Sequence, residues 1–324
     1  MRDIFLNILG PILVLVALGA VMRRKFRIDV GSLSKLNIYL FVPAFVFDKV
    51  SNSSLDWAKM GGIVGVSVLQ VATLGLIVWG LGRAMRIERK TLAAIAMAVM
   101  FYNSGNYGLP LAKLAYRDRG AEVQAFVLMT QNVLTFTIGL AIAASAHHGG
   151  MGKGFAKLMR LPVLPTLAAA LLARAYLNGH PERHLPLLIS EPARFLADGL
   201  VPIALVTLGA QLAANPRWPR WRPVSMVLVL RLLFGPVQMI GLLWGLHWVA
   251  GQFGGIWRTM DLWPWPAPLL IVTASVPTAV NTLLLTLELE GDADLAADCV
   301  FWTTVCSALS IAAWLVGVRV MFGR

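Results

Sequence analysis

Three neutral polar side chains interrupt a long apolar stretch in the first half of the sequence. Asn103, Ser104 and Asn106 lie in MAVMFYNSGNYGLPL, which also contains two glycines and Pro110. Amides and hydroxyls offer hydrogen bonds to a ligand, but they lack the general base that enzymatic proton transfer needs. Hydrocarbon provides no hydrogen-bond partners for the backbone groups that such a break frees. A break of this kind inside a membrane must therefore line a cavity.

A second break of the same kind lies in the C-terminal half. The sequence ASVPTAVN, at positions 274–281, places another proline and further polar residues inside an apolar stretch. Interrupted helices at corresponding places in two halves indicate the binding site of a membrane transporter. The candidate substrate-binding residues are Asn103, Ser104, Asn106, Pro110, Pro277, Thr278 and Asn281. The alternative interpretation is that the asparagines cap the broken helix ends, and a cap beside the cavity can do both.

Three charged residues lie inside other apolar stretches: Asp198, Arg231 and Asp298. A charge at bilayer depth costs about 2.5 to 3.5 kcal/mol on insertion scales, so each is expected to have a partner. The similar depth of Arg231 and Asp298 predicts a mutual ion pair. The alternatives for Arg231 are snorkelling to the surface or contact with an anionic substrate. Asp198 is either a proton-carrying group or a hydrogen-bonded helix breaker.

Three uncharged polar residues in apolar stretches are expected to form hydrogen bonds between helices: Gln131, Asn132 and Gln211.

The composition indicates an integral membrane protein. Of 324 residues, 58% are hydrophobic and 14% charged, which is too apolar for a soluble chain of this length. The 28 lysines and arginines exceed the 16 acidic residues, but they lie in short clusters between apolar stretches. That pattern is typical of cytoplasmic links and excludes nucleic acid as the reason for the charge.

Apolar stretches of about 20 residues predict ten membrane spans. They lie at about 4–22, 32–50, 60–82, 91–116 (broken), 121–146, 158–178, 188–213, 223–250, 267–289 (broken) and 294–320. Cationic links follow the odd-numbered spans as far as the seventh, so both termini are predicted to lie outside a bacterial inner membrane. The acidic link after span nine departs from this pattern but carries little weight.

The two halves of the chain resemble each other. LNIYLFVPAFVF (36–47) aligns with FLADGLVPIALV (195–206), so that both carry Val-Pro at the same place. Five spans per half is an odd number, and the second half must therefore enter the membrane inverted. The predicted domains are residues 1–148 as the first repeat, 149–157 as a cytoplasmic link and 158–324 as the inverted second repeat.

The sequence NSGNYGLP, with the ASVPTAVN segment and the paired Val-Pro motifs, resembles the auxin efflux carrier family over essentially the whole chain. This resemblance implies a fold similar to that of bile-acid symporters and NhaA-type antiporters. Spans 1, 2, 6 and 7 would form a scaffold, and spans 3–5 and 8–10 a moving core in which broken spans 4 and 9 cross. The core would move against the scaffold by an elevator-type mechanism.

The expected function is secondary transport of a small organic anion. Helix segments restarting after Pro110 and Pro277 would both point N-termini at the site, which favours a carboxylate. A dicarboxylate would want a further cation, for which Arg231 is the only obvious candidate. The driving ion, proton or sodium, stays open, and a homodimer in the lipid membrane is one possible assembly.

There are two alternatives to this function. A sodium-coupled symporter of the bile-acid type would carry a larger anion. A non-transporting sensor or an intramembrane enzyme belongs to a different class, but the sequence has no HExxH, GxSxG, GxGD or Walker A motif. We therefore expect no enzymatic activity, no cofactor and no metal.

Overall fold

A computed structural model describes residues 4–145, 162–178, 180, 182–214 and 218–323. Its regular secondary structure is helical throughout these ranges, which confirms the predicted all-α class. Seven of the described helical segments are long and apolar enough to cross a membrane. The protein is therefore an integral membrane protein. The predicted link at 149–157 lies outside the described residues.

The helices of the first half alternate with short links. They are α1 (Gly10–Phe26), α2 (Val30–Ser51), α3 (Trp57–Ala84), α4 (Arg89–Met100) and α5 (Ser104–Ser145). An N-cap begins α2, where the Asp29 carboxylate accepts hydrogen bonds from the N–H groups of Gly31 and Ser32. Between α4 and α5 the chain is extended at Phe101, which is where predicted span four is broken.

The second half contains a similar series. The helices are α6 (Val163–Leu177), α7 (Leu187–Ala214), α8 (Trp221–Phe253), the short α9 (Gly255–Thr259), α10 (Ala267–Thr273), α11 (Val280–Glu288) and α12 (Ala293–Met321). The gap between α10 and α11 is the predicted break in span nine. The Asp292 carboxylate caps α12 by accepting the Leu295 N–H.

Helix α5 folds back on itself at Arg117. This residue has φ 57° and ψ −147°, which is not helical. The Gln124 side chain donates a hydrogen bond to the Ser104 carbonyl at 3.0 Å. A straight helix would hold residues 104 and 124 about 30 Å apart. The segment therefore consists of two helical arms, as expected from the predicted link between spans four and five.

The helices pack in two groups. In the first, α7 packs along α1 and α2, and α6 packs along α2. Close approach of α1 and α7 requires glycine, because a Cβ at Gly19 would overlap the Val206 carbonyl and one at Gly209 would overlap the Val16 carbonyl. In the second group, α3, α4, α5, α8, α10, α11 and α12 pack together.

Several helices contain π-helical turns, which are wider than α-helical turns and often lie at functional sites. They span Phe5–Leu9, Asn37–Phe41, Ser104–Gly108, Thr135–Gly139 and Val229–Phe234. Three of them, in α2 and in both arms of α5, contribute residues to one cavity. The irregular turns thus lie where the two helix groups meet.

Candidate functional site

The two helix breaks lie against each other in the second helix group. Tyr102 and Thr278 form an isolated antiparallel bridge. The Asn103 N–H donates to the Pro277 carbonyl at 2.8 Å, and the Ala279 N–H donates to the Phe101 carbonyl at 3.0 Å. Each break therefore satisfies backbone groups that the other one frees. This pairing explains how both interruptions are tolerated inside an apolar bundle.

Thr278 stabilises the contact between the two helix breaks, which we call the junction, and it does not line the cavity. Its side chain is fully buried and its hydroxyl donates to the Ala98 carbonyl at 2.9 Å. Its N–H donates to the Thr303 hydroxyl at 3.0 Å. Both of these donors are occupied, so Thr278 has a structural position where the sequence suggested a substrate ligand.

A cavity of about 70 Å³ lies beside the junction, between the two helix groups. Four of the predicted ligands line it: Asn103, Ser104, Asn106 and Asn281. Its other polar walls are Ser34, Asn37, Tyr102, Gln131, Asn132, Thr135 and Gln211. Within the described chain, the lining contains no carboxylate, imidazole, thiol, ammonium or guanidinium group. The cavity is polar but formally neutral.

Asn103 caps a helix and also lines the cavity. Its Oδ1 accepts the Asn106 N–H at 3.1 Å, so the side chain caps the start of α5. Its buried Nδ2 has no hydrogen-bond partner among the described residues. An unpaired buried donor is costly, and a ligand in the cavity would satisfy it.

Asn106 links the two helix groups across the cavity wall. Its Oδ1 accepts a hydrogen bond from the Asn37 Nδ2 at 2.7 Å. The Asn37 Oδ1 is buried and has no partner in the described part of the chain. Asn37 was missed in the sequence, although a polar residue inside predicted span two was a usable signal.

Three amides that the sequence assigned to contacts between helices also line the cavity: Gln131, Asn132 and Gln211. The Gln211 Nε2 donates to the Ser34 hydroxyl at 3.2 Å, which joins α7 to α2 as an interhelical hydrogen bond should. Its Oε1 lacks a partner among the residues described. Gln211 thus connects two helices and also leaves a free polar atom near the cavity. The interhelical role of Gln131 and Asn132 stays a prediction.

Pro110 and Pro277 do not line the cavity either. The break in span four lies at Phe101–Asn103, and Pro110 follows it inside the buried first arm of α5. The helix therefore restarts before Pro110, at Ser104, and the predicted restart after this proline is wrong. Pro277 lies in the second break, where its carbonyl accepts the Asn103 N–H.

Arg231 joins the carbonyl ends of the two interrupted helices. It is fully buried, and its Nη1 donates to the Val99 carbonyl at 2.7 Å in the last turn of α4. Its Nη2 donates to the carbonyl of Ala274, which immediately follows α10. The last carbonyls of a helix lack intrahelical partners and carry a partial negative charge. One guanidinium thus compensates two helix C-termini.

The predicted ion pair between Arg231 and Asp298 is not formed. Arg231 uses the two carbonyls described above, and its guanidinium lies 4.7 Å from the centroid of the Tyr102 ring. Asp298 instead accepts the Arg220 N–H at 3.3 Å. The similar depth of Arg231 and Asp298 did not show which way each side chain points. The carbonyl oxygens that accept from Arg231 could not be recognised in the sequence, because every residue has one.

Asp198 lies away from the cavity. Its carboxylate is paired with the Lys113 ammonium at 3.1 Å, and its side chain is 60% exposed. The pair connects α7 with the first arm of α5. Nearby, the Glu122 carboxylate accepts the Leu55 N–H at 3.1 Å, and Arg174 donates to the Ser53 carbonyl at 2.8 Å. The Lys113–Asp198 pair joins the two helix groups at the other end of the molecule, and the Glu122 and Arg174 contacts hold the link between α2 and α3 there.

Two helix starts lie at the cavity. Residues 104–106 at the start of α5 and residues 279–281 at the start of α11 line it. Within these two segments, the N–H groups of Ser104, Asn106 and Ala279 already donate to acceptors in the protein. The first turns of helices carry unpaired N–H groups and a partial positive charge, which together bind anionic groups well. The paired C-termini face Arg231 on the other side. The arrangement is that of an integral membrane protein with a neutral polar cavity between its helices.

Comparison with known proteins identifies the family. The chain matches the membrane transport protein family over residues 11–150 and 157–315. It belongs to that family, which is the auxin efflux carrier family inferred from the motifs, and it is a membrane transporter.

Two relatives are similar over most of their length. An uncharacterized transporter of Methanothermobacter thermautotrophicus is 26% identical over 312 residues, covering 94% of this chain and 95% of the relative. A protein of Rhizobium meliloti named "Putative malonate transporter" is 26% identical over 301 residues, covering 89% of this chain and 87% of the relative.

Proposed function

We propose that this chain is a secondary carrier that moves a small carboxylate anion by alternating access. The observation that carries the proposal is the convergence of two helix N-termini on a neutral polar cavity, with an arginine on the opposite, carbonyl side. Two partial positive charges and free amide donors favour a carboxylate without a formal counterion. The relative named for malonate is consistent with this substrate class.

The cavity favours a small substrate over a large one. Its volume of about 70 Å³ holds roughly five to seven water-sized groups, at 10–15 Å³ for each. A three-carbon dicarboxylate such as malonate is of this size. Each of its carboxylates would meet one helix N-terminus, so no additional arginine is needed. The larger anion of a bile-acid-type symporter fits this volume poorly.

The same cavity supports a carrier over an enzyme. Hydrolytic or transfer chemistry needs a general base, a nucleophile with an activating partner, or a metal. The described lining offers amides, hydroxyls and one phenol. Such groups bind and orient a ligand but do not activate water.

The proposed architecture has ten spans in an inverted five-plus-five repeat. Span four would comprise α4 and the first arm of α5, and span nine α10 and α11, with the two crossing at their paired breaks. Helices α1, α2, α6 and α7 would form the scaffold, and the second packing group the core that moves as an elevator. Both termini would lie outside the inner membrane.

Alternating access would use the polar contacts between the groups. Ser34 and Gln211 place the cavity near the start of α2 and the end of α7, at the end with the cationic links. The Lys113–Asp198 pair and the Glu122 contacts hold the groups together at the opposite end. Opening to that side would break these contacts while the core carries the substrate across.

A ligand panel tests the proposal on purified full-length protein. Thermal stabilisation is measured with malonate, malate, a monocarboxylate and the neutral diamide of malonate, each with sodium chloride and with N-methylglucamine chloride. We expect malonate to stabilise most and the diamide least. Equal stabilisation by the diamide, or stronger stabilisation by an amine, would contradict the anion site. A requirement for sodium would indicate coupled symport.

A further inference from the structure

A groove on the second helix group is separate from the transport cavity. It lies between α3, α4 and the end of α5 and encloses about 430 Å³. Its walls are Gly75, Val78, Trp79, Arg83, Arg89, Leu92, Ala93, Ala96, Met100, Ile142 and Ser145. Apart from the two arginines and the serine, these residues are apolar or aromatic. The groove is thus mainly apolar and has two cationic side chains at one end.

The cationic end lies on the link between α3 and α4. Arg83 and Arg89 are exposed, and the Arg83 guanidinium lies 5.6 Å from the centroid of the half-exposed Trp79 ring. Neither arginine is in an ion pair with a described acidic residue. The same link adds Arg86 and Lys90 against a single acid, Glu88, so its net charge is positive. Tryptophan and arginine together are typical of the membrane interface.

The length of the groove matches one leaflet of a bilayer. It runs along α4 from Arg89 to Met100, which spans about 16 Å at 1.5 Å per residue. Half of a hydrocarbon core of about 30 Å is nearly the same length. The apolar end is kept open by Gly75, since a Cβ there would lie 2.9 Å from the Met100 Cε. Met100 is the last residue before the helix break.

We propose that this groove is a binding site for one anionic phospholipid of the leaflet on the cationic side. Arg83 and Arg89 hold the headgroup phosphate, and one acyl chain lies along α4 as far as Met100. Basic pockets between membrane helices are suited to anionic headgroups. The charge of the groove argues against the chain's own segment 146–161 as the occupant, because that sequence contains Lys153, Lys157 and Arg160 and no acid.

Lipid titration by native mass spectrometry tests the proposal on the full-length protein. Dioleoyl phosphatidylglycerol, dioleoyl phosphatidylcholine and inorganic phosphate are compared. The double variant Arg83→Gln, Arg89→Gln is expected to bind phosphatidylglycerol on the order of thirtyfold more weakly, from about 1 kcal/mol per arginine near the surface. The matched control Arg24→Gln, Lys25→Gln removes the same charge from the exposed last turn of α1, outside the groove, and it should retain wild-type affinity.

A third variant tests the acyl-chain channel without changing charge. Ala96→Phe fills the groove between the headgroup and Met100, and it should also lower phosphatidylglycerol binding. Wild-type affinity in Ala96→Phe or in the double arginine variant would overturn the proposal. So would equal binding of phosphatidylcholine, an equal loss in the control variant, or saturation by inorganic phosphate that displaces the lipid. The result is independent of the carboxylate assay, because the transport cavity is not altered.

Discussion

The two sides of the paired helix breaks differ in whether a protein side chain compensates the partial charge of the helix ends. On the carbonyl side, the ends of α4 and α10 are buried and both receive hydrogen bonds from Arg231. On the amide side, the starts of α5 and α11 line a neutral cavity. The helix ends themselves are alike in kind, since each break frees both a C-terminus and an N-terminus. They differ in whether the protein supplies the compensating charge.

If the cavity binds a carboxylate as proposed, this difference shows how an anion site can be built without a cation in contact with the anion. A guanidinium inside the cavity would bind a carboxylate tightly and hinder its release. Placed on the carbonyl side, the guanidinium neutralises the negative helix ends and leaves the positive ends for the ligand. In the proposed transport cycle, the substrate would take the place of the missing partner of the N-termini.

The largest expected effect is the loss of Arg231. Arg231→Met leaves the carbonyls of Val99 and Ala274 buried without donors, and each unsatisfied group costs about 1 to 3 kcal/mol. We expect a loss of about 2 to 6 kcal/mol in stability, together with a lower yield of folded protein. Thermal unfolding measures the stability, and size-exclusion chromatography measures the yield of folded protein.

Arg231→Lys is the matched control, because it keeps the charge but cannot bridge two carbonyls as a planar guanidinium does. It should lie between wild type and Arg231→Met. Combining Arg231→Met with Asp298→Leu should give additive losses, since the two residues do not touch. Recovery of stability in that double variant would restore the ion pair and contradict the comparison.

The next effect concerns Asn103, where capping and ligand binding can be separated. Asn103→Ser keeps an oxygen that can cap α5 but removes the amide donor that faces the cavity. We expect near-normal stability and carboxylate binding weaker by about 1 to 3 kcal/mol. Isothermal titration with the best carboxylate of the panel measures the loss.

Asn103→Ala should lose both the cap and the donor, so it should be less stable than Asn103→Ser and bind no better. If Asn103→Ser binds like wild type, the free Nδ2 does not contact the ligand, and Asn103 is only a cap.

Much of this architecture could be predicted from the sequence. Two polar, proline-containing interruptions in apolar stretches located both breaks, because hydrocarbon tolerates such residues only beside a cavity. Asn103, Ser104, Asn106 and Asn281 were recognised for the same reason. The family followed from the motif around Asn103.

Other features depend on contacts that leave no pattern. The partners of Arg231 are carbonyl oxygens, which every residue has, so the spacing of charged side chains was misleading. Pro110 marked the wrong restart, because the chain is already helical in the π-helical turn Ser104–Gly108 that precedes it. Proline lies where the α-helical part of α5 begins, a position that suits it. Asn37 lines the cavity from a π-helical turn, and no sequence pattern predicted that turn.

A smaller effect is expected at the contact between Asn37 and Asn106. Asn37→Ala removes one hydrogen bond between α2 and the start of α5, worth about 0.5 to 1.5 kcal/mol net. Carboxylate affinity should fall by no more than about tenfold. Asn52→Ala is the control, because Asn52 is an exposed asparagine at the other end of α2. Equal losses in both variants would show that the effect is not specific to the cavity.

The smallest expected effect is that of Asp198, and it tests whether a titrating group takes part in the anion site. The carboxylate of Asp198 is largely exposed and paired with Lys113, outside the cavity lining. Exposed ion pairs contribute about 0 to 1 kcal/mol, so Asp198→Asn should change stability by less than that and leave carboxylate affinity unaltered. Lys113→Gln should behave in the same way, because it breaks the same contact.

In proteoliposomes, the pH profile of carboxylate uptake should keep its shape in both variants, even if the rate changes through the contact between helix groups. A flattened profile in Asp198→Asn but not in Lys113→Gln would identify Asp198 as a proton carrier. Helix N-termini would then not be the whole basis of anion transport, and the contrast between the two sides of the breaks would lose its functional meaning.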